Sequence, residues 1–319
     1  MSAMNNIRSI KPDTGNFGKT LILKCEDGGF EQFFSEQMRS FGITVDQVIV
    51  RHLPRAFQAV LPGMPFYSVF WKNWKKRLCE FDLIIVFDVV ANLPLIKKLK
   101  KMAPQAKLVL WNWNIRSDPM NEYKDLCDIW CFDERCCRDF GWNYDPQFYF
   151  DIVNSFEVTD DKKTCLFVGF DKGRSRTLEE LAEHINDRGY ESDFSVFMPE
   201  TKTGKYVKVL EEMADYPDVL KRTCSCHAVV EILQGKQCGI TTRTLEAAVF
   251  GKKLITDNTG ILKSDLYEKD NIFVLGYDDY SELRDFLASP LKEIPDGIKR
   301  KYMFPAWLER IRDDTPLCS

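Results

Sequence analysis

The chain has 319 residues, 45% of them hydrophobic and 29% charged, with a formal net charge of −4. That balance suits a globular chain long enough for two α/β domains and excludes an intrinsically disordered one. The slightly acidic charge excludes the broad basic footprint of a nucleic-acid binder, and no run approaches the ~20 apolar residues of a membrane span.

The N-terminal stretch to Lys19 is polar and lacks the apolar core of a secretory signal. The 11 cysteines are therefore expected as reduced thiols of a cytoplasmic protein. Cys127, Cys131, Cys136 and Cys137 form one group, and Cys224, Cys226 and His227 another. Neither has paired structural-zinc spacing, so no metal site is expected.

Thr20 to Cys25 predicts the first strand, with Glu26, Asp27, Gly28 and Gly29 at its exit and a helix over Phe30 to Ser40. Val45 to Val50 is the second strand. Tyr67 to Leu78 places Tyr67, Phe70, Trp71, Trp74 and Leu78 on one helical face and Lys72, Lys75, Lys76 and Arg77 on the rest, the pattern of an interfacial helix able to touch a membrane peripherally. Asp82 to Asp88 brackets a continuous apolar strand with charges. A basic helix over Leu95 to Met102 leads to a strand over Lys107 to Trp111, and Asp128 to Phe132 is the last strand of the first half. Strands separated by helices of this length imply a parallel, doubly wound sheet with right-handed crossovers.

Polar residues from Phe148 to Lys163 suggest a linker between a first domain over 1–155 and a second over 156–295. The second series opens with a strand at Thr164 to Val168. Then come a helix over Leu178 to Arg188, a strand at Phe194 to Phe197, and the apolar run Ala228 to Leu233. Asn271 to Leu275 is a further strand, and Ser281 to Ala288 a helix. Ile298 to Ile311 reads as a helix that Pro305 should kink, within a C-terminal segment 296–319.

The densest chemistry lies between Gln237 and Asn258. The run Gln234 to Gly239 leaves a buried strand. Thr241 or Thr242 can cap a helix whose Leu245, Ala248 and Val249 share one face, Gly251 stops it, and Leu254 to Thr256 opens the next strand. Free N–H groups at such a helix start, in the crevice above parallel strand ends, suit an anion. A second anion motif follows Thr164 to Val168: Gly169, Lys172, Gly173, Arg174 and Arg176 combine close backbone approach with bidentate and point-charge cations. It is neither a P-loop nor a GxGxxG fingerprint.

The Thr/Arg loop, Glu246 on its helix, Gly251-Lys252-Lys253 and the short strand resemble the donor site of GT-B glycosyltransferases, and bacterial capsule, lipopolysaccharide and exopolysaccharide enzymes in particular. The resemblance implies two Rossmann-like domains, with a C-terminal helix crossing back onto the first. It implies a nucleotide-sugar donor, a cell-surface glycan or lipid-linked oligosaccharide acceptor, and a location at the inner face of the cytoplasmic membrane. Glu246 would hold the ribose; Thr241, Thr242, Arg243, Gly169, Lys172 and Arg174 would meet the diphosphate, with no separate cofactor. The chain has no Asp-x-Asp motif, which fits leaving-group stabilisation by cations and a helix N-terminus.

An inverting enzyme needs an acceptor-side base, and Asp27 and Asp88, at strand ends of the first domain, are the candidates, with His52 behind them. Asn112, Asn114 and Arg116 are expected to shape the acceptor pocket. A retaining enzyme would rely on Lys172 and Arg174 instead. His184 and His227 are expected to be structural. A sugar-nucleotide epimerase of the same fold and a non-catalytic nucleotide- or partner-binding module are the alternatives.

Overall fold

The structure, a computed structural model, describes residues 17, 19–47, 73–200, 203–235 and 237–317. His52 and residues 67–72 of the expected interfacial helix lie outside the described residues. Its remainder falls in a 3-10 helix, Asn73–Glu80. Among the described residues no helix is long and apolar enough to cross a membrane, and every cysteine is an unpaired thiol.

The first half forms strands β1 (Thr20–Lys24), β2 (Thr44–Gln47), β3 (Leu83–Phe87), β4 (Lys107–Asn112), β5 (Asp128–Cys131) and β6 (Asn143–Tyr144). They pair in the order β2-β1-β3-β4-β5-β6, all parallel. Leu83 to Phe87 are buried, as an apolar run flanked by helix-covered faces requires. Helices α1 (Gly29–Ser40), α2 (Leu93–Met102) and α3 (Glu134–Phe140) connect them. Asp128 to Phe132 is not the last strand of this sheet: β6, two residues long, follows it at the edge.

The second half holds β7 (Thr164–Phe170), β8 (Glu191–Phe197), β9 (Val207–Leu210), β10 (Ala228–Glu231), β11 (Lys253–Thr256) and β12 (Ile272–Val274). Their order is β12-β11-β10-β7-β8-β9, again all parallel. The helices are α4 (Ser175–Asp187), α5 (Tyr216–Ser225), α6 (Thr242–Phe250) and α7 (Leu283–Ala288). The chain runs outward from β7 to β9 and then returns to β10 on β7's other side. The β7/β10 seam is therefore the point where strand order reverses, and ligands of open α/β sheets sit above such seams. The fold class expected from the sequence, two doubly wound α/β sheets, is the one observed.

Two expectations need correction. The presumed linker is polar and exposed only from Glu157 to Lys163. Phe148, Tyr149 and Phe150 are fully buried, because they fill the space between α1 and the C-terminal segment. The C-terminal stretch is not one kinked helix but two, α8 (Asp296–Lys301) and α9 (Phe304–Asp313), with Pro305 in the first turn of α9, where its missing N–H costs nothing. Helix α9 packs on the first sheet: Trp307 meets Trp111 edge-on at 5.0 Å, and Lys107 Nζ donates to Ile311 O at 2.6 Å.

Candidate functional site

A cleft of about 630 Å³ opens above the β7/β10 seam, between the ends of the two sheets. Its second-domain floor comes from the exits of β7 and β10 and the start of α6. Lys172 sits at φ 46° in the turn after β7, a left-handed conformation a lysine rarely adopts, and is followed by Gly173 at φ 79°. Asp171 holds this turn: its carboxylate accepts from Ser175 N at 2.7 Å, Ser175 Oγ at 2.6 Å and Glu200 N at 2.7 Å. The Lys172 ammonium donates to Gln234 Oε1 at 2.9 Å. Burial, and then the Arg174 charge, lower its pKa.

Arg174 and Arg243 converge on the same floor. Their guanidinium carbons lie 5.1 and 5.0 Å from the Phe167 ring centre. Both are tied to main-chain oxygens: Arg174 donates to Asp171 O, Ile232 O and Phe170 O, and Arg243 to Val168 O at 2.7 Å and Val230 O at 3.4 Å. Burial, and next the neighbouring Arg243, bring the Arg174 pKa down to about 10. Among the described residues, none of these cations has a carboxylate within ion-pair distance, although Asp171, Asp257 and Glu231 act on Arg174 from further away. The two arginines are thus tied to main-chain oxygens of the cleft floor, while the Lys172 ammonium is held by one side chain, Gln234.

Helix α6 is built as its residues dictate. Thr241 is the N-cap, its Oγ1 accepting from Arg243 N at 3.1 Å, and Gly251 closes the helix at φ 60°. The same hydroxyl donates to Glu231 Oε1, which also accepts from Thr244 Oγ1 at 3.0 Å, while Thr256 Oγ1 donates to Glu231 Oε2 at 2.6 Å. Glu231 thus locks the helix start onto β10 and β11. Sequence reasoning absorbed it into an apolar run, although a charged residue inside a buried strand is itself a signal.

Glu246, one turn further along α6, is 5% exposed and lines the cleft. Its Oε1 accepts the Tyr216 hydroxyl proton at 2.5 Å, and that hydroxyl is also 2.9 Å from Tyr149 Oη. Burial raises the Glu246 pKa, against the pull of Arg243. Tyr216 is packed by Phe30 and Phe33 of the first domain at 4.9 and 5.1 Å. Sequence reasoning missed it together with α5; the signal available was Asp215 followed by Pro217 in a first helical turn.

The first-domain wall comprises Gly28, Gly29, Phe30, Trp113, Asn114 and Gln147, among others. Glycines make the junction with the second domain close. A Cβ on Gly29 would fall 2.3 Å from Asp215 Oδ1, and one on Gly239 would fall 2.1 Å from Phe132 O.

The structure therefore brings Gly169, Lys172, Arg174, Thr241, Thr242, Arg243, Glu246 and Asn114 to one cleft. Four expected residues do not line it. Asp27 is turned to Gln47, whose Nε2 it accepts at 2.9 Å. Asp88 lies behind the wall, accepting from Trp113 N at 3.2 Å and from Asn114 N and Nδ2 at 3.3 Å. It orders the loop that carries both residues. Burial raises its pKa, with Asn114 opposing. Asn112 is fully buried and donates to Trp130 O at 3.2 Å, so its side chain is turned into the first domain and not to the cleft. Arg116 faces a neighbouring hollow. His184 stacks on Tyr280 at 3.9 Å, and His227 bonds Asp160 and Leu287 O, far from this chemistry.

No protein-family model and no curated protein sequence matches the chain. Solved structures do. AviGT4, a glycosyltransferase involved in avilamycin A biosynthesis, superposes with a TM-score of 0.59 at 14% identity, covering 93% of this chain and 96% of that one. HepE of Anabaena, solved with UDP-glucose, gives 0.57 at 12% identity, with 93% and 99% covered. Sucrose-phosphate synthase of Thermosynechococcus elongatus gives 0.54 at 10% identity, with 93% and 98% covered. Likeness over these lengths shows that the chain has the two-domain GT-B fold of glycosyltransferases.

Proposed function

We propose that this protein is a glycosyltransferase that moves a sugar from a nucleoside-diphosphate donor to a hydroxyl of a cell-surface glycan, without a divalent metal. The observation that carries the reading is the convergence of Lys172, Arg174, Arg243 and the α6 N-terminus on one cleft, with Glu246 beside them. A diphosphate leaving group needs that set: bidentate and point-charge cations, the positive end of a helix and a low-dielectric floor, all in place before charge develops. Glu246 is read as the acceptor of the ribose hydroxyl protons, with Oε2 available because Tyr216 occupies Oε1. HepE, similar in fold, was solved with UDP-glucose, which supports a nucleotide-sugar donor here.

In the proposed reaction the acceptor oxygen forms its bond to the anomeric carbon as the bond from that carbon to the diphosphate oxygen breaks. The nucleoside diphosphate leaves with the electron pair, its charge balanced by Lys172, Arg174 and the positive end of α6, and the acceptor's hydroxyl proton passes to the departing phosphate oxygen. Trp113 and Asn114, held by Asp88, form the acceptor-side wall. The test is release of nucleoside diphosphate from a panel of nucleotide sugars in the presence of EDTA, with and without oligosaccharide acceptors. Acceptor-stimulated release that Lys172→Ala lowers on the order of 10²-fold supports the reading. Conversion of the sugar nucleotide to an isomer with no acceptor would replace it with the epimerase alternative.

A further inference from the structure

A second hollow, of about 530 Å³, opens on the first domain and shares Ile115 with the wall of the cleft. Two guanidinium groups line it, those of Arg116 and Arg135. We infer that this hollow is an anion subsite, in which Arg116 and Arg135 hold a phosphate or carboxylate group borne by the acceptor. Its assignment to the acceptor rests on the glycosyltransferase reading; its affinity for an anion does not.

Neither arginine has a close, buried ion-pair partner, although the Asp88 carboxylate acts on Arg116 from behind the wall. Arg116 pairs through Nη2 with Asp118 at 3.1 Å, but the Asp118 side chain is 52% exposed, and its charge is largely screened by water. Arg116 Nε is shielded from solvent and has no hydrogen-bond partner among the described residues, a costly state for a charged donor group. Arg135 is half-buried, and among the described residues its side chain makes neither a hydrogen bond nor an ion pair. The hollow's own carboxylate, Asp139, is exposed and lies 3.7 Å from Arg138.

The surrounding contacts hold the pair in place. The Cys136 thiol donates to Arg116 O at 3.6 Å, tying the loop after β4 to α3. Asp133 caps α3, its Oδ1 accepting from Cys136 N at 3.0 Å, and its Oδ2 accepts from Cys238 N of the second domain at 2.8 Å. The backbone that carries both arginines is thus fixed near the cleft, and planar guanidinium forks match the oxygens of phosphate and carboxylate. A cationic hollow next to the reacting centre also raises the local concentration of an acidic acceptor.

Calorimetric titration at low ionic strength with methyl phosphate and, separately, with glucuronate tests this on the full chain. Wild type, Arg116→Gln, Arg135→Gln and Lys172→Ala are compared, each also titrated with nucleoside diphosphates. At least one anion should bind wild type and bind about tenfold or more weakly to each arginine variant, and Lys172→Ala, which weakens the donor cleft alone, should lose less than either. Arg135→Gln removes a side chain without partners and keeps the test open if Arg116→Gln misfolds. The preferred anion then separates a phosphate-bearing acceptor from an acidic sugar. Absence of anion binding to wild type, or binding that both arginine variants retain, would overturn the inference. Nucleotide binding is read on the same samples: its absence alongside intact anion binding would remove the donor reading and leave the subsite standing.

Discussion

Glu246→Ala separates the ribose role from a structural one. In the protein Glu246 Oε1 accepts from Tyr216 at 2.5 Å, and no hydrogen bond is made to Oε2 among the described residues. A ribose hydroxyl donating to that oxygen makes a charge-assisted hydrogen bond, contributing about 1.5–3 kcal/mol. Its loss predicts a dissociation constant for the cognate nucleoside diphosphate raised by about 10- to 150-fold. The truncation takes the acceptor from one hydroxyl proton of the Tyr216–Tyr149 pair, whose 2.9 Å contact can use only one of their two protons, a cost to folding stability rather than to the ribose contact. It also removes a carboxylate whose burial disfavours its charged form, which offsets part of the packing loss. The assay is calorimetric titration of wild type and variant with the ribonucleotide and with its dideoxyribose analogue. Wild type should discriminate between the two by the same factor that the variant loses, and the variant should not discriminate. Equal weakening toward both sugars would refute the ribose contact and leave Glu246 a purely structural residue.

Lys172→Ala should lower turnover on the order of 10²-fold, as loss of one preorganised donor to a leaving anion does, while urea midpoints stay close to wild type. Arg174→Ala should lower turnover and also destabilise the fold by roughly 1.5–3 kcal/mol, because its guanidinium satisfies carbonyls of three residues. Gly239→Ala should cost about 1–3 kcal/mol in urea unfolding, since a methyl group there meets the Phe132 carbonyl oxygen and the two domains must shift. Asp145 supplies a pH test. Burial pushes its pKa up to about 6 although Arg310 Nε donates to it at 2.7 Å; the pair is single-stranded, with Asp145 Oδ2 and Arg310 Nη2 both unpartnered. A carboxyl that binds its proton more tightly when folded stabilises the protein at low pH and loses that contribution as pH rises from about 4 to about 6. Unfolding free energy should therefore fall with pH in that window, and the fall should flatten in Asp145→Asn; identical slopes would contradict it.

Long apolar runs and helix punctuation made most of the scaffold legible in the sequence. Asp82 to Asp88 and Lys107 to Trp111 lie within one residue of β3 and β4, because fully buried parallel strands must be apolar throughout. The Thr241/Thr242 pair and Gly251 marked α6 to within one residue, since cap chemistry is local. Edge strand β9 escaped notice: Val207-Lys208-Val209-Leu210 has one buried and two exposed side chains, too little pattern to register. Helix α5 escaped with it, and with α5 went Tyr216, whose value lies in reaching Glu246 from another element.

The site was legible where its residues act through neighbours in sequence, as at Gly169 to Arg174 and Thr241 to Glu246. It was illegible where the third dimension decides. Asp27 and Asp88 both end strands, yet one turns to Gln47 and the other supports Asn114 from behind. Arg116 reads like a cleft residue only until α3 is seen to build a separate hollow around it.

The most direct measurement is a thermal-shift titration of wild type and Lys172→Ala with UDP, GDP, CDP, CMP and ADP, without added metal. At ~100 times its dissociation constant the cognate nucleotide should add roughly 2.7 kcal/mol and raise the wild-type melting point by a few degrees. The account predicts that shift for one nucleoside diphosphate, and a smaller one in Lys172→Ala. No shift with any of the five, or one that Lys172→Ala leaves unchanged, would contradict the claim that this cleft is a donor site.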